Sequence, residues 1–191
     1  MDTNDAHQQT PLGRVLALIM IGCGFLAMGI AFMLLNELDV SASAQDFSTV
    51  PVQVDFPAPE LSLTTLEGEP VSLSDYLGSV VLVNLWATWR PPCREEMPAL
   101  QAFYEDYKSE GFVLIAIDQG ETSQLVNPFV QEFGLEFPVW LDPASTAGYV
   151  FKTMNLPSSY VIDRTGQVRL MWIGGIAKKN LEKYVPEVIM E

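Results

Sequence analysis

Residues 80–85 (VVLVNL) and 112–117 (FVLIAI) are near-continuous apolar runs rich in β-branched side chains. A strand with one wet face alternates apolar and polar residues. A run that does not alternate is buried on both faces, as in the central strands of a parallel sheet. Parallel neighbours need a crossover, and the intervening stretch supplies one. Met97, Leu100, Tyr104 and Tyr107 recur at helical spacing, and Gly111 ends the pattern. Strand, helix, strand at that length is a right-handed crossover unit. The chain is therefore expected to be an α/β protein with a central mixed sheet and helices on both faces.

The flanking segments extend this frame. Residues 61–64 and 71–73 straddle Glu67-Gly68-Glu69 and read as a short hairpin. A helix is expected over 123–133, stopping at Gly134, then a strand over 137–141 and a helix over 144–154. Residues 159–162 and 168–173, joined by Asp163-Arg164-Thr165-Gly166, read as an antiparallel hairpin closing the far edge of the sheet. A last helix covers 178–189, with Pro186 as its expected end or kink.

Ahead of the globular pattern, residues 15–35 contain no charge. At about 1.5 Å per residue such a run crosses a hydrocarbon core of roughly 30 Å. Arg14 precedes it, and Glu37 and Asp39 follow it. The positive-inside rule then leaves residues 1–14 as a cytoplasmic tail and places everything after the span outside the cytoplasm. Ala42-Ser43-Ala44 fits a signal-peptide cleavage site, but the length of the apolar run favours an uncleaved anchor. Residues 36–59 are small, polar and proline-bearing and read as a linker. The globular domain is then 60–191.

The formal charge of −14 argues against nucleic acid, which needs a Lys/Arg footprint. Cys23 and Cys93 are the only cysteines and His7 is the only histidine, so no disulfide framework or metal-ligand set is present. No cofactor motif stands in a fitting context; the glycines at 22 and 24 lie inside the apolar run, with no strand before them.

The chemistry points to residues 86–98, WATWRPPCREEMP. They follow a central strand and open a helix, the place where open α/β sheets bind ligands. A helix start offers unpaired N–H groups and partial positive charge, which stabilise a thiolate at Cys93. Pro91 and Pro92 stiffen the loop, and Glu95 and Glu96 complement the dipole. The bland reading stands beside this one: Cys93 is a small buried core residue, and Trp86 and Trp89 are packing.

The stretch LVNLWATWRPPCREEMPAL resembles the signature of membrane-anchored thioredoxin-like proteins of the TlpA/ResA type, relatives of the AhpC/TSA redoxins. APELSLTTLEGEPVSLSDYLGSVVLVNLWATW, FPVWLDP and LPSSYVIDRTGQV carry the likeness from about residue 56 to 185. It implies a thioredoxin-like fold, thiol-disulfide exchange with extracytoplasmic protein thiols, disulfides or peptide segments, and no cofactor. It further implies a cis proline at Pro157 facing the active-site loop, a thiol-tuning carboxylate at Glu96, and a groove along Trp89, Pro91, Pro92 and Pro157. The departure is Arg90. The family carries its attacking cysteine there, whereas Cys93 matches the covered, resolving one. Two readings follow: single-cysteine exchange through Cys93, with Arg90 favouring the thiolate, or a redox-inactive module that binds peptide in the groove. Peroxiredoxin chemistry lacks its motif, because Arg90 and Trp86 stand where that motif needs threonine or serine and proline.

Overall fold

The computed structural model describes residues 20, 21, 23–26, 28, 29 and 49–190. Contacts divide the chain into residues 1–46 and 47–191. In the first unit the described residues are helical, and Met20, Ile21, Phe25, Leu26 and Met28 are exposed. Among the described residues no helix is long and apolar enough to cross a membrane. Most of the span expected over 15–35 lies outside the described residues.

The second unit holds eight strands: β1 (Val52–Pro57), β2 (Ser62–Thr65), β3 (Pro70–Ser72), β4 (Val80–Trp86), β5 (Phe112–Gln119), β6 (Val139–Asp142), β7 (Ser158–Ile162) and β8 (Gln167–Ile173). Its helices are α1 (Pro91–Tyr107), α2 (Ser123–Phe133), α3 (Thr146–Val150) and α4 (Lys178–Met190). The strands form one sheet in the order β1-β8-β7-β4-β5-β6-β2-β3. The β4–β5 and β5–β6 pairs are parallel and the others antiparallel, so the sheet is mixed as expected.

The period of two along β4 sorts its side chains between two cores. Val80, Leu82 and Trp86 pack with Cys93, Met97, Leu100 and Phe103 of α1, Val126 and Phe129 of α2, and Leu181, Val185 and Val188 of α4. Val81, Val83 and Leu85 pack with Ile115, Ile117, Trp140 and Tyr160 and with Ala147 of α3. Both faces are dry, which is why the run does not alternate. Truncating Leu82 or Leu85 to alanine should cost about 2–5 kcal/mol. Asn84 and Asp118 fall on the α1 face of their strands, where the pattern calls for an apolar residue, and both are fully buried.

Three expectations change. The sheet does not end at the β7–β8 hairpin. Beyond β8 lies β1, inside the stretch read as linker, because Val52, Val54 and Phe56 alternate as a strand does. The helix expected over 144–154 is only Thr146–Val150, because Ser145 (φ 54°) and Lys152 (φ 55°) take left-handed conformations that a right-handed helix cannot continue through. Pro186 lies inside α4, which runs on to Met190.

Candidate functional site

Strand β4 delivers the chain into a tight loop, where Arg90 N–H donates to the Ala87 carbonyl at 3.3 Å. Arg90 is extended (φ −95°, ψ 113°) and caps α1, which starts at Pro91 rather than nearer Cys93. Prolines suit the first turn because they have no N–H to leave unpaired. The consequence for Cys93 runs against the sequence-based expectation of free donors. Pro91 and Pro92 offer none, and the Arg90 carbonyl accepts both the Cys93 N–H (3.0 Å) and the Arg94 N–H (3.2 Å). The start of this helix is self-satisfied.

Cys93 itself is fully buried. Burial pushes its thiol up to about 12; the Ala87 N–H pulls the other way, Glu96 raises it further, Arg90 lowers it and Asp118 raises it. The resting sulfur is a protonated core thiol, and the half-buried Arg90 does not overcome the burial.

Glu96, one helical turn on, is 3% exposed. Its Oε1 accepts from Asn84 Nδ2 (2.8 Å), and its Oε2 accepts from the Ile176 N–H (3.2 Å). Asn84 also donates to Ser159 Oγ (2.9 Å), its cross-strand partner on β7. Burial raises Glu96 to about 8, while the two donors act to lower it. The carboxyl therefore ties α1, β4 and the 174–176 turn together, and its burial favours the protonated form.

A second carboxyl grips the loop. Glu121 accepts from Thr88 N–H at 2.6 Å and from Thr88 Oγ1 at 2.7 Å. Its own N–H donates to Asp118 Oδ1 (3.0 Å) at the end of β5, beside Trp86 in the sheet register. Arg94 closes the loop from the other side. It donates to the Thr88 carbonyl (3.4 Å) and to Glu132 (2.9 Å), and its guanidinium lies over Phe129 and Phe133.

The expected groove residues sit at the same end of the sheet. Trp89 is 66% exposed, and Pro91 and Pro92 are exposed. The Leu156–Pro157 bond is cis; Pro157 is buried, and its carbonyl accepts the Gly174 N–H (2.8 Å). Gly175 stands against the Pro92 carbonyl, so the 174–176 turn connects Pro157, α1 and Glu96. Asn84, Thr88, Asp118, Glu121 and Ser159 were not foreseen as site residues. The signal available was polar residues on core-facing positions of strands, Asn84 in VVLVNLW above all.

An α/β sheet of this order, with a cysteine at the helix start after its central strand and a cis proline at the same end of the sheet, defines a thioredoxin-like protein. Solved structures agree. A thiol:disulfide interchange protein of the thioredoxin family from Chlorobium tepidum matches with a TM-score of 0.63 at 29% identity, covering 72% of this chain and 99% of that one. StoA from Bacillus subtilis matches with a TM-score of 0.57 at 25% identity, covering 70% and 98%. Among curated relatives, the thiol-disulfide oxidoreductase ResA of Bacillus thuringiensis is 37% identical over 137 residues, 72% of this chain and 79% of the relative. The thioredoxin-like protein YneN of Bacillus subtilis is 36% identical over 137 residues. With residues 54–171 also matching the AhpC/TSA family, the chain belongs to that family and, within it, to the ResA-like thiol-disulfide oxidoreductases.

Proposed function

We propose that this protein is a membrane-tethered, extracytoplasmic member of its family that docks partner polypeptides along the exposed Trp89, Pro91 and Pro92. Its thiol chemistry is limited to single-cysteine exchange through Cys93. The observation that carries this reading is the cap of α1: position 90 presents a guanidinium, and the site's one thiol among the described residues lies behind it at position 93. Once deprotonated and uncovered, Cys93 attacks one sulfur of a partner disulfide. A mixed disulfide forms, and the partner's other sulfur leaves as a thiolate. No second sulfur in the site can attack that bond, so an external thiol must displace Cys93 and regenerate it. The tether is supported by the uncharged run at 15–35, with Arg14 before it and Glu37 and Asp39 after it.

Mixing the reduced protein with a disulfide-bonded peptide tests the reading. The expected product is a covalent adduct on the Cys93 peptide, trapped by alkylating the peptide's released thiol before it can re-close and then cleaved by a small thiol. No adduct across pH 6–9 would sink the exchange chemistry. It would leave the second reading, a redox-inactive peptide-binding module, which the complete burial and raised pKa of Cys93 favour.

A further inference from the structure

If Cys93 reacts at all, something must uncover it, and the hold on the covering loop is specific. Ala87, whose N–H is directed at the sulfur, is joined to Thr88, and Thr88 is gripped by both carboxylate oxygens of Glu121. Behind Glu121 stands Asp118, fully buried, with Oδ1 taken by the Glu121 N–H. Among the described residues no donor reaches Asp118 Oδ2. The neighbouring group within hydrogen-bonding reach is the Glu121 side chain, another carboxyl. Two carboxyls in contact in a dry site cannot both be ionised without strong repulsion, and one proton between them satisfies both.

We propose that Glu121 is the positioning residue of the active-site loop, and that its grip on Thr88 depends on a proton shared with Asp118, so that loss of this proton uncovers Cys93. The inference deepens the exchange reading by naming what controls access to its sulfur. Burial, followed by the contact with Glu121, raises Asp118 to about 8, and Asp142 on β6 adds to the rise. The other charged or titratable groups facing this end are Cys93, Glu96 and Arg94 on α1, Arg90 in the loop, and Glu132 on α2 through Arg94. Arg94 reaches the loop only at the Thr88 carbonyl, is otherwise engaged by Glu132 and lies partly in solvent, so it does not replace the shared proton.

The sign follows from linkage. With the loop closed, burial and the neighbouring Glu121 keep the proton on Asp118 up to about pH 8. With the loop open, water reaches the pair and the proton leaves in the usual carboxylate range near pH 4. Opening therefore becomes about tenfold easier per pH unit between those limits and levels off above them. A labelling reagent attacks only the thiolate of the open form, and thiol ionisation adds its own tenfold per pH unit.

The test is iodoacetamide labelling of the full-length protein in detergent, followed by mass spectrometry of the Cys93 peptide so that Cys23 does not interfere. The logarithm of the rate should rise with a slope of about two between pH 5.5 and 7.5, bending towards one above pH 8. Asp118→Asn should give a slope of about one throughout, while Glu96→Gln should keep the steep profile. Thr88→Val should speed labelling at pH 6 several-fold without flattening it. A native slope of one across the range overturns the proposal, and so does an Asp118→Asn profile as steep as the native one. If Asp118→Asn does not fold, the native profile still decides. Labelling involves no partner, so a steep profile without any partner adduct defeats the exchange reading and leaves the clamp standing.

Discussion

At the scale of single residues the site is governed by what its buried groups can ionise. A cysteine at a helix start is ordinarily favoured as thiolate by free N–H groups. Here the two prolines and the Arg90 carbonyl leave none, and burial prevails. Alkylation of Cys93 at pH 7 should therefore be at least 100-fold slower in the folded protein than in urea; equal rates would mean the sulfur is open. Glu96 yields a stability prediction. Its folded pKa is raised to about 8, so its contribution is fully present below the unfolded value near 4.5 and is lost as pH rises through about 8. The thermal midpoint should fall between pH 5 and 8, and Glu96→Gln should flatten that fall in a calorimetric series. A midpoint that rises over this window would contradict the assignment.

At the scale of elements, the strands with undiluted apolar patterns were legible in order and type. Both β4 and β5 stand where their β-branched runs place them, and α2 ends at Gly134, whose φ of 58° only glycine adopts freely. The site was legible only where it is written in one contiguous stretch, 86–98. Its support comes from distant positions: Glu121 reaches Thr88 across 33 residues, and Ile176 reaches Glu96 across 80. No local pattern encodes such pairings. The edge strand β1 was missed because a short alternating segment among prolines looks like a spacer until β8 is beside it. Its entry matters for the site. Thr49 binds the carbonyls of Gly174 and Gly175, and Asn180 binds the Thr49 carbonyl. A chain beginning at residue 47 should fold with a cooperative transition, whereas one beginning at Val52 should melt several degrees lower and lose protection of the Ile176 amide in hydrogen exchange. Identical melting and exchange would show that Thr49 anchors nothing.

At the scale of the whole molecule, two features are separate in sequence: an N-terminal apolar run and a thioredoxin-like unit whose site carries Arg90 three residues before its buried cysteine. The first predicts that external protease digests residues 47–191 on intact spheroplasts; protection until lysis would reverse the topology. The second is the centre of the account. Position 90 caps α1 three residues before Cys93, and helical geometry puts their Cα atoms roughly 5 Å apart, within the span a disulfide allows. The most direct measurement is a single turnover. Reduced native protein and Arg90→Cys are freed of reductant, mixed with a peptide carrying one internal disulfide, and the released dithiol peptide is counted. The account predicts about one reduced peptide per Arg90→Cys molecule, matched by a new 90–93 disulfide, and none from the native chain. Release of reduced peptide by the native chain without added thiol, or none by Arg90→Cys, would contradict it.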